Sequence, residues 1–166
     1  MVVQLKFKIH HFPDCSMVKK SFHTGTVKKT VKIKAGKDKV WGKISNIVGL
    51  PTWVIDVKKT VYLSKKKTDV GTIRLITFEN GNQIEEHVVA WKKREYFTYI
   101  ATEGLPLRAY VATISIKLKS RNLVELTWQS YLNSEKMSEK EFLDFIVFMA
   151  AFYEASLENL KALLEK

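Results

Sequence analysis

The sequence predicts an α+β fold in which a curved antiparallel sheet of about seven strands wraps around one long C-terminal helix. Residues 24–132 hold a series of short segments rich in β-branched and aromatic residues, separated by turn residues at regular intervals. A short helical pattern follows the first of these segments, and residues 139–165 change to a helical period. Consecutive strands joined by short turns favour an antiparallel meander over parallel βαβ units.

The chain begins with two strand patterns and a short helix. Residues 1–12 alternate at period two, with Val3, Leu5, Phe7 and Ile9 facing one way and polar side chains facing the other. Residues 24–35 repeat this pattern, and Asp38 is then placed to cap a short helix. Apolar residues continue at helical spacing as far as Val48, before Pro51 ends the helix. We expect residues 1–23 to be an N-terminal extension with an extra strand and residues 24–166 to be one domain.

Six further strands are predicted at residues 54–63, 70–78, 84–91, 96–102, 108–118 and 124–132. Asn80-Gly81 supplies the positive φ angles of a tight hairpin between the second and third of them. Gly104-Leu105-Pro106 predicts another tight turn, before the strand at residues 108–118.

A long helix closes the chain. Ser138 and Glu141 form a capping box, and apolar residues follow at helical spacing to Leu163. At about 1.5 Å per residue the helix is about 40 Å long. Because residues 145–153 are apolar on nearly every side, we expect this part of the helix to be enclosed.

Composition limits the class of protein. Apolar residues make up 46% of the 166 residues and charged residues 27%, a balance that excludes a disordered or collagen-like chain. Cys15 is the only cysteine, so no intrachain disulfide forms, which fits a reducing compartment. There is no signal-peptide pattern and no apolar run long enough to span a bilayer. We therefore expect a cytoplasmic protein, and whether Met17 is the native start stays open.

The net charge is +11, and residues 1–40 hold ten lysines against Asp14 and Asp38. One interpretation is a basic surface for nucleic acid or an anionic membrane, made by Lys28, Lys32, Lys34 and residues 65–67. The other is a set of solvated strand edges where lysine prevents edge-to-edge pairing. The second is favoured because only four of the 28 basic residues are arginine, the side chain suited to bidentate phosphate or base contacts. We expect no specific nucleic acid partner, and peripheral contact with an anionic membrane stays open.

Several short motifs, in order, resemble the SRPBCC superfamily, which includes the START lipid-transfer domains, the birch-pollen-allergen-like proteins and the polyketide cyclase/dehydrase family. They cover residues 24–165 and are Lys39-Val40-Trp41, Ile44-Ser45-Asn46, Leu50-Pro51-Thr52-Trp53, Gly71-Thr72, Ile84-Glu85-Glu86-His87-Val88, Tyr99, Glu103-Gly104-Leu105-Pro106-Leu107-Arg108-Ala109-Tyr110 and Leu126-Thr127-Trp128. The resemblance implies a helix-grip fold whose sheet and long helix enclose an apolar cavity. It says nothing about residues 1–23, whose strand would add to a sheet edge or to another copy of the protein.

Side-chain parity on the predicted strands and helix selects the residues that would face such a cavity. The inward candidates are Tyr99, Tyr110, Trp128, Phe145, Met149 and Phe152. Glu103 or Arg108 would lie near the polar end of a ligand at the cavity mouth. These side chains suit a small hydrophobic ligand, lipid-like or aromatic, although the same aromatic residues also suit plain core packing.

Catalytic and metal-binding groups are sparse. His10, His11, Asp14 and Cys15 are close in sequence, but the adjacent histidines point to opposite faces of a strand, so we expect no metal and no cofactor. Glu86 and His87 are the candidates for acid–base catalysis of a cyclase or aromatase type. Strand alternation does not decide which of the two faces inward. Glu86 shares a face with the apolar Val88, which favours Glu86, whereas His87 shares a face with Trp91, which favours His87. Binding or transport of a hydrophobic ligand, by a monomer or homodimer, is therefore favoured over an enzyme.

Overall fold

One seven-stranded antiparallel sheet and one long helix dominate the computed structural model, which describes residues 22–166. The elements in chain order are β1 (His23–Ile33), α1 (Lys37–Ile44), a 3-10 turn (Leu50–Thr52), β2 (Val57–Tyr62), β3 (Ile73–Phe78), β4 (Gln83–Lys92), β5 (Tyr96–Glu103), β6 (Ala109–Ser120), β7 (Leu123–Ser134) and α2 (Glu139–Leu164). The strand order across the sheet is β1-β7-β6-β5-β4-β3-β2. The predicted α+β helix-grip fold is confirmed.

Strands β2 to β7 follow one another across the sheet as a meander. β1 precedes β2 in the chain but lies at the opposite edge of the sheet, beside β7. β1 pairs with β7 in a continuous register from His23 opposite Ser134 to Ile33 opposite Val124. The core lies between the inner face of the sheet and α2. Its least exposed side chains include Ile33, Ile114, Leu126, Leu132, Tyr153 and Leu160.

Helix α2 begins at the predicted capping box. The backbone N–H of Glu141 donates to Ser138 Oγ at 3.3 Å, and the backbone N–H of Ser138 donates to Glu141 Oε2 at 2.8 Å. These two bonds satisfy donors that the first turn of a helix otherwise leaves free. The local sequence thus fixes where α2 starts.

Helix α2 runs alongside the edge strand β1 over its whole length. Near its start, a Cβ added to Gly25 would stand 2.9 Å from Ile146 Cδ1, so any larger residue would require the Ile146 side chain to move. Further along, Lys29 Nζ lies 2.6 Å from Glu154 Oε2. At the end, the backbone N–H of Lys34 donates to Glu165 Oε1 at 2.6 Å. The helix therefore covers the β1 end of the sheet.

The first helix differs from its prediction. It ends at Ile44, and its N-cap is Gly36, which makes no side-chain capping bond. Asp38 lies in the first turn instead and pairs with Arg94 at 2.7 Å. Ile47 is fully buried although it lies beyond the helix, so the apolar pattern continued past the end of the element.

The hairpin between β3 and β4 also differs in detail. Only Gly81 has a positive φ, at 85°, whereas Asn80 does not. The Gly81 N–H donates to the Phe78 carbonyl at 3.0 Å, and the Phe78 N–H donates to the Asn82 carbonyl at 2.9 Å. These bonds are typical of a three-residue connection with a left-handed glycine rather than a two-residue turn.

The expectation that α2 is enclosed around residues 145–153 is wrong. Val147 is 69% exposed and Phe148 59% exposed, and Leu143 just before them is 57% exposed. The sheet covers one side of the helix, and within residues 22–166 no second layer covers the other. Neither helix in residues 22–166 combines the length and the hydrophobicity that a bilayer span requires. The predicted strand in residues 1–12 lies outside the described part of the chain.

Candidate ligand cavity

An apolar cavity of about 100 Å³ lies between the inner face of the sheet and α2, partly open to solvent. Strands β2 to β7 supply most of its wall, and the first half of α2 closes it. The lining residues are Leu50, Val54, Val57, Arg74, Ile76, Phe78, Ile84, Glu86, Tyr99, Leu105, Tyr110, Trp128, Phe145, Phe148, Met149 and Phe152. Because Phe148 is both exposed and part of this wall, it marks the mouth of the cavity.

Strand alternation and helical spacing point the predicted side chains into this space. On neighbouring strands β5, β6 and β7, Tyr99, Tyr110 and Trp128 are all buried. Because successive residues of a strand face opposite sides, these positions fix one inward row. All six predicted cavity residues line the cavity, namely Tyr99, Tyr110, Trp128, Phe145, Met149 and Phe152. Their role in binding a ligand stays a prediction.

Hydrogen bonds hold the aromatic part of the wall. Trp128 Nε1 donates to the Tyr99 hydroxyl at 2.9 Å, and the hydroxyls of Tyr110 and Tyr153 are 2.6 Å apart. The Tyr153 ring stacks on Trp128 with centroids 4.1 Å apart. Burial raises the pKa of Tyr99, Tyr110 and Tyr153, so these hydroxyls stay protonated at neutral pH. Each therefore keeps a proton to donate.

A buried ion pair forms the charged part of the wall. Glu86 Oε2 accepts from Arg74 Nε at 2.7 Å and lies 2.6 Å from a terminal guanidinium nitrogen. The other terminal nitrogen of Arg74 donates to the Ile47 carbonyl at 2.7 Å, and the guanidinium carbon lies 5.0 Å from the centre of the Tyr99 ring. Burial raises the pKa of the Glu86 carboxyl, and the positive charge of Arg74 opposes this shift.

Sequence reasoning missed Arg74, because its partner depends on the exact length of the turn between β3 and β4. The hairpin at Gly81 sets the register of β3 and β4, and this register places Arg74 directly opposite Glu86. Opposite charges in such a cross-strand pair share one face of the sheet. Counting outward from the predicted two-residue turn would instead have placed Arg74 opposite His87, so the pair follows only from the three-residue connection that the structure shows. Tyr153 was also missed, and it is fully buried.

Glu103 and Arg108 lie outside the main cavity. They border a smaller adjacent cleft of about 50 Å³, which shares Tyr110 and Leu105 with the cavity region. Arg108 places its guanidinium 4.5 Å from the centre of the Phe22 ring. The structure therefore separates these two residues from the aromatic set with which they were grouped.

The structure shows which of Glu86 and His87 faces the cavity. Glu86 is buried and lines the cavity, whereas His87 does not line it. His87 Nε2 lies 2.6 Å from Glu85 Oε1, on the opposite face of β4, and Thr102 donates to the same carboxylate oxygen at 3.2 Å. His87 is thus held away from any ligand in the cavity.

The lysines named for an anionic partner fall at two distant places. Lys28, Lys32 and Lys34 belong to β1 or the residue just after it, at one end of the sheet, whereas residues 65–67 follow β2 at the other end. Six strand spacings of about 4.8 Å separate the two ends. The two groups therefore form no continuous basic patch.

Within residues 22–166, no three histidine, cysteine, aspartate or glutamate residues lie close enough to hold a metal ion, and His10, His11, Asp14 and Cys15 lie outside that range.

Comparison with known proteins agrees with this architecture. The fold is similar to that of an uncharacterized protein from Bacillus thuringiensis (TM-score 0.73, 20% identity, 86% of this chain and 100% of that one). It is also similar to the protein XoxI from Bacillus cereus (TM-score 0.72, 20% identity, 84% and 94%) and to a protein from Nitrosospira multiformis (TM-score 0.71, 19% identity, 84% and 96%). No curated protein matches the chain. The family model described as polyketide cyclase / dehydrase and lipid transport matches residues 24–165. The chain therefore belongs to this family, within the SRPBCC superfamily that its sequence resembles.

Proposed function

We propose that this protein binds a small hydrophobic molecule in the cavity between its sheet and α2. The observation that carries the proposal is the cavity itself, whose wall is apolar except for the buried Arg74–Glu86 pair and the tyrosine hydroxyls. Ligand sites are concave and mostly apolar, with a few polar groups that orient the ligand. Family membership supports the same class of ligand.

The energy of an empty cavity also supports a ligand. By the scale of about 24 cal/mol per Å³ from enclosed core cavities, 100 Å³ left fully dry would cost about 2 kcal/mol, which is an upper bound for a cavity partly open to solvent. An apolar cavity of about 150 Å³ is known to bind benzene. As it stands, the cavity therefore suits a ligand of about one aromatic ring, or the apolar end of a longer molecule.

The mouth of the cavity is lined by side chains that have room to move. Phe145 and Phe152 are half-buried, Phe148 is exposed, and all three lie on the same side of α2. Rotation of exposed side chains takes picoseconds to nanoseconds and costs little packing. A longer ligand would therefore enter by displacing Phe148 first.

Binding needs no group beyond those in the wall, whereas catalysis would need a base free to take a proton from the substrate. Glu86 is the carboxylate in the cavity wall, and its Oε2 already accepts from Arg74. His87 faces away from the cavity. We therefore propose binding and assign no catalytic step to these residues.

The test is a titration of the full chain with toluene, followed by backbone amide shifts in two-dimensional NMR. We expect saturable shifts at residues that line the cavity. Val57→Phe should abolish them, because Val57 lies in the wall and the larger ring fills the space. Val89→Phe is the matched control, since Val89 lies on β4 and is 43% exposed, outside the cavity.

A second variant keeps the test valid if Val57→Phe does not fold. Phe152→Ala enlarges the cavity and should admit naphthalene more tightly than the natural chain does. Toluene shifts scattered over the surface, or equal loss of binding in both valine variants, would overturn the proposal.

A further inference from the structure

The buried carboxyl group of Glu86 has one oxygen with a partner and one without. Oε2 receives both contacts from Arg74, the 2.7 Å bond from Nε and the 2.6 Å approach of a terminal guanidinium nitrogen. Oε1 accepts no hydrogen bond from any side chain or backbone group in residues 22–166. A carboxylate offers about four acceptor sites on its two oxygens. Half of this capacity is therefore unused, although the residue is only 6% exposed.

The unused oxygen faces the cavity. Glu86 lies in the cavity wall. In the described part of the chain, the polar side-chain atoms that are sealed from open space without a partner belong to Trp53, Thr60, Ser130 and Asn133. Oε1 of Glu86 is not among them, so it touches open space, and the space that Glu86 borders is the cavity. A ligand in the cavity can therefore reach this oxygen.

The charge of the ion pair decides what kind of ligand group can bind there. A guanidinium stays protonated in proteins, so protonation of Glu86 would leave Arg74 as a buried charge without its partner. The carboxyl therefore stays ionised, and the pair as a whole is neutral. A ligand anion would be repelled by Oε1, and a ligand cation would enter an apolar space without a net countercharge. A neutral hydrogen-bond donor is the class of group that fits.

The other polar side chains of the wall do not offer a comparable acceptor. The Tyr99 hydroxyl already accepts from Trp128 Nε1 at 2.9 Å, and the Tyr110 hydroxyl is 2.6 Å from that of Tyr153. Guanidinium and indole groups are donors only. A hydroxyl group that donates to a carboxylate makes one of the shorter and stronger hydrogen bonds in proteins. Oε1 of Glu86 is therefore the atom of the wall best suited to orient a ligand.

We propose that Glu86 selects ligands that carry a neutral hydroxyl group, which donates to Oε1 while the ring or chain of the ligand occupies the apolar part of the cavity. Arg74 is a positioning residue that holds the carboxylate ionised through Oε2. The inference rests on the proposed function, because it concerns the ligand of the same cavity. It goes further by naming the polar group that the ligand carries and the residue that recognises it.

The relative affinity of phenol and toluene for the full chain tests this inference. The two molecules have nearly the same shape, and both can be titrated by two-dimensional NMR near neutral pH. Water holds phenol more strongly than toluene, so the ratio of their affinities is compared between the natural chain and Glu86→Gln. The glutamine should turn its carbonyl oxygen to Arg74 and its amide nitrogen, which cannot accept, to the cavity. We expect the phenol-to-toluene affinity ratio to fall about tenfold or more in Glu86→Gln.

Two controls separate recognition of the hydroxyl from a general effect of lost charge. Glu85→Gln makes the same chemical change at the next residue, whose carboxylate contacts His87 on the opposite face of β4. It should leave the phenol-to-toluene ratio unchanged. Benzonitrile accepts a hydrogen bond but cannot donate one, so it should bind more tightly relative to toluene in Glu86→Gln than in the natural chain.

A measurement on the natural chain keeps the inference testable if Glu86→Gln does not fold. The side-chain carboxyl carbon of Glu86 can be observed by NMR in isotope-labelled protein. Phenol should move this signal clearly more than toluene does at equal saturation, because a new donor reaches Oε1. The carboxyl signal of Glu85 should respond equally to the two molecules.

Three results would overturn the inference. Toluene binding with the same phenol-to-toluene ratio in the natural chain and in Glu86→Gln would mean that Oε1 does not contact the ligand, and the proposed function would stand. Benzoate binding more tightly than phenol would mean that Arg74 binds a ligand anion instead. Absence of saturable shifts with every probe would overturn the proposed function and this inference together.

Discussion

Removing one member of the Arg74–Glu86 ion pair should destabilise this protein more than an average substitution does. The two side chains are only 4% and 7% exposed, so solvent does not screen the charge that remains. Loss of one partner of a buried pair typically costs about 3–5 kcal/mol. For a domain of this size, about 2–4 °C per kcal/mol gives a fall in Tm of roughly 6–20 °C for Arg74→Met.

The loss should also depend on pH, in a direction that the carboxyl group fixes. Burial raises the pKa of Glu86, and without Arg74 nothing opposes that shift. The folded state then binds a proton more tightly than the unfolded state, whose glutamate pKa is about 4.3. Stability of Arg74→Met is therefore full below about pH 4 and falls as pH rises through the folded pKa, by up to about 1.4 kcal/mol per pH unit.

Urea unfolding followed by circular dichroism, at a series of pH values from acid to mildly alkaline, measures both effects. The double variant Arg74→Met/Glu86→Leu removes the unpaired charge, so it should recover most of the loss and show a flatter pH dependence. It should stay about 1–3 kcal/mol below the natural chain, because the Ile47 carbonyl loses its donor. The reasoning is refuted if Arg74→Met unfolds within about 1 kcal/mol of the natural chain, or if its pH dependence is unchanged.

Two further predictions concern the turn at Gly104 and the start of α2. Gly104→Ala should lower the free energy of unfolding by about 2–5 kcal/mol, because φ is +90° and the new Cβ would collide with the Gln83 carbonyl oxygen. Gly71→Ala, at φ +86° with open space around it, is the control and should cost only about 1–2 kcal/mol; equal losses would contradict the steric explanation. Ser138→Ala should cost about 1 kcal/mol and speed amide exchange in the first turn of α2. Unchanged exchange there would show that the capping box adds nothing to stability.

Elements with strong local signals were predicted well. Ser138 and Glu141 fixed the start of α2 because a capping box depends on four consecutive residues. The row of Tyr99, Tyr110 and Trp128 followed from alternation along single strands. In both cases the relevant contacts are set within one element, so the sequence pattern carries them.

Features that depend on two distant elements could not be predicted in the same way. The cavity volume depends on the distance between the sheet and α2, and no sequence pattern within either element encodes that distance. An all-round apolar helix is expected to be enclosed, yet Val147 and Phe148 lie on a side that the sheet does not reach. Arg74 looked like any strand arginine until the register placed it opposite Glu86.

The pairing of β1 with β7 sets when the domain can finish folding during translation. His23 pairs with Ser134, more than a hundred residues later, so β1, the first strand of the described residues, waits for β7, the last. Helix α2, which covers β1, emerges later still. Until then the nascent sheet exposes its inner face and an unpaired β1, a state that is prone to aggregation. Slow synthesis of the C-terminal third should therefore increase the dependence of this chain on chaperones.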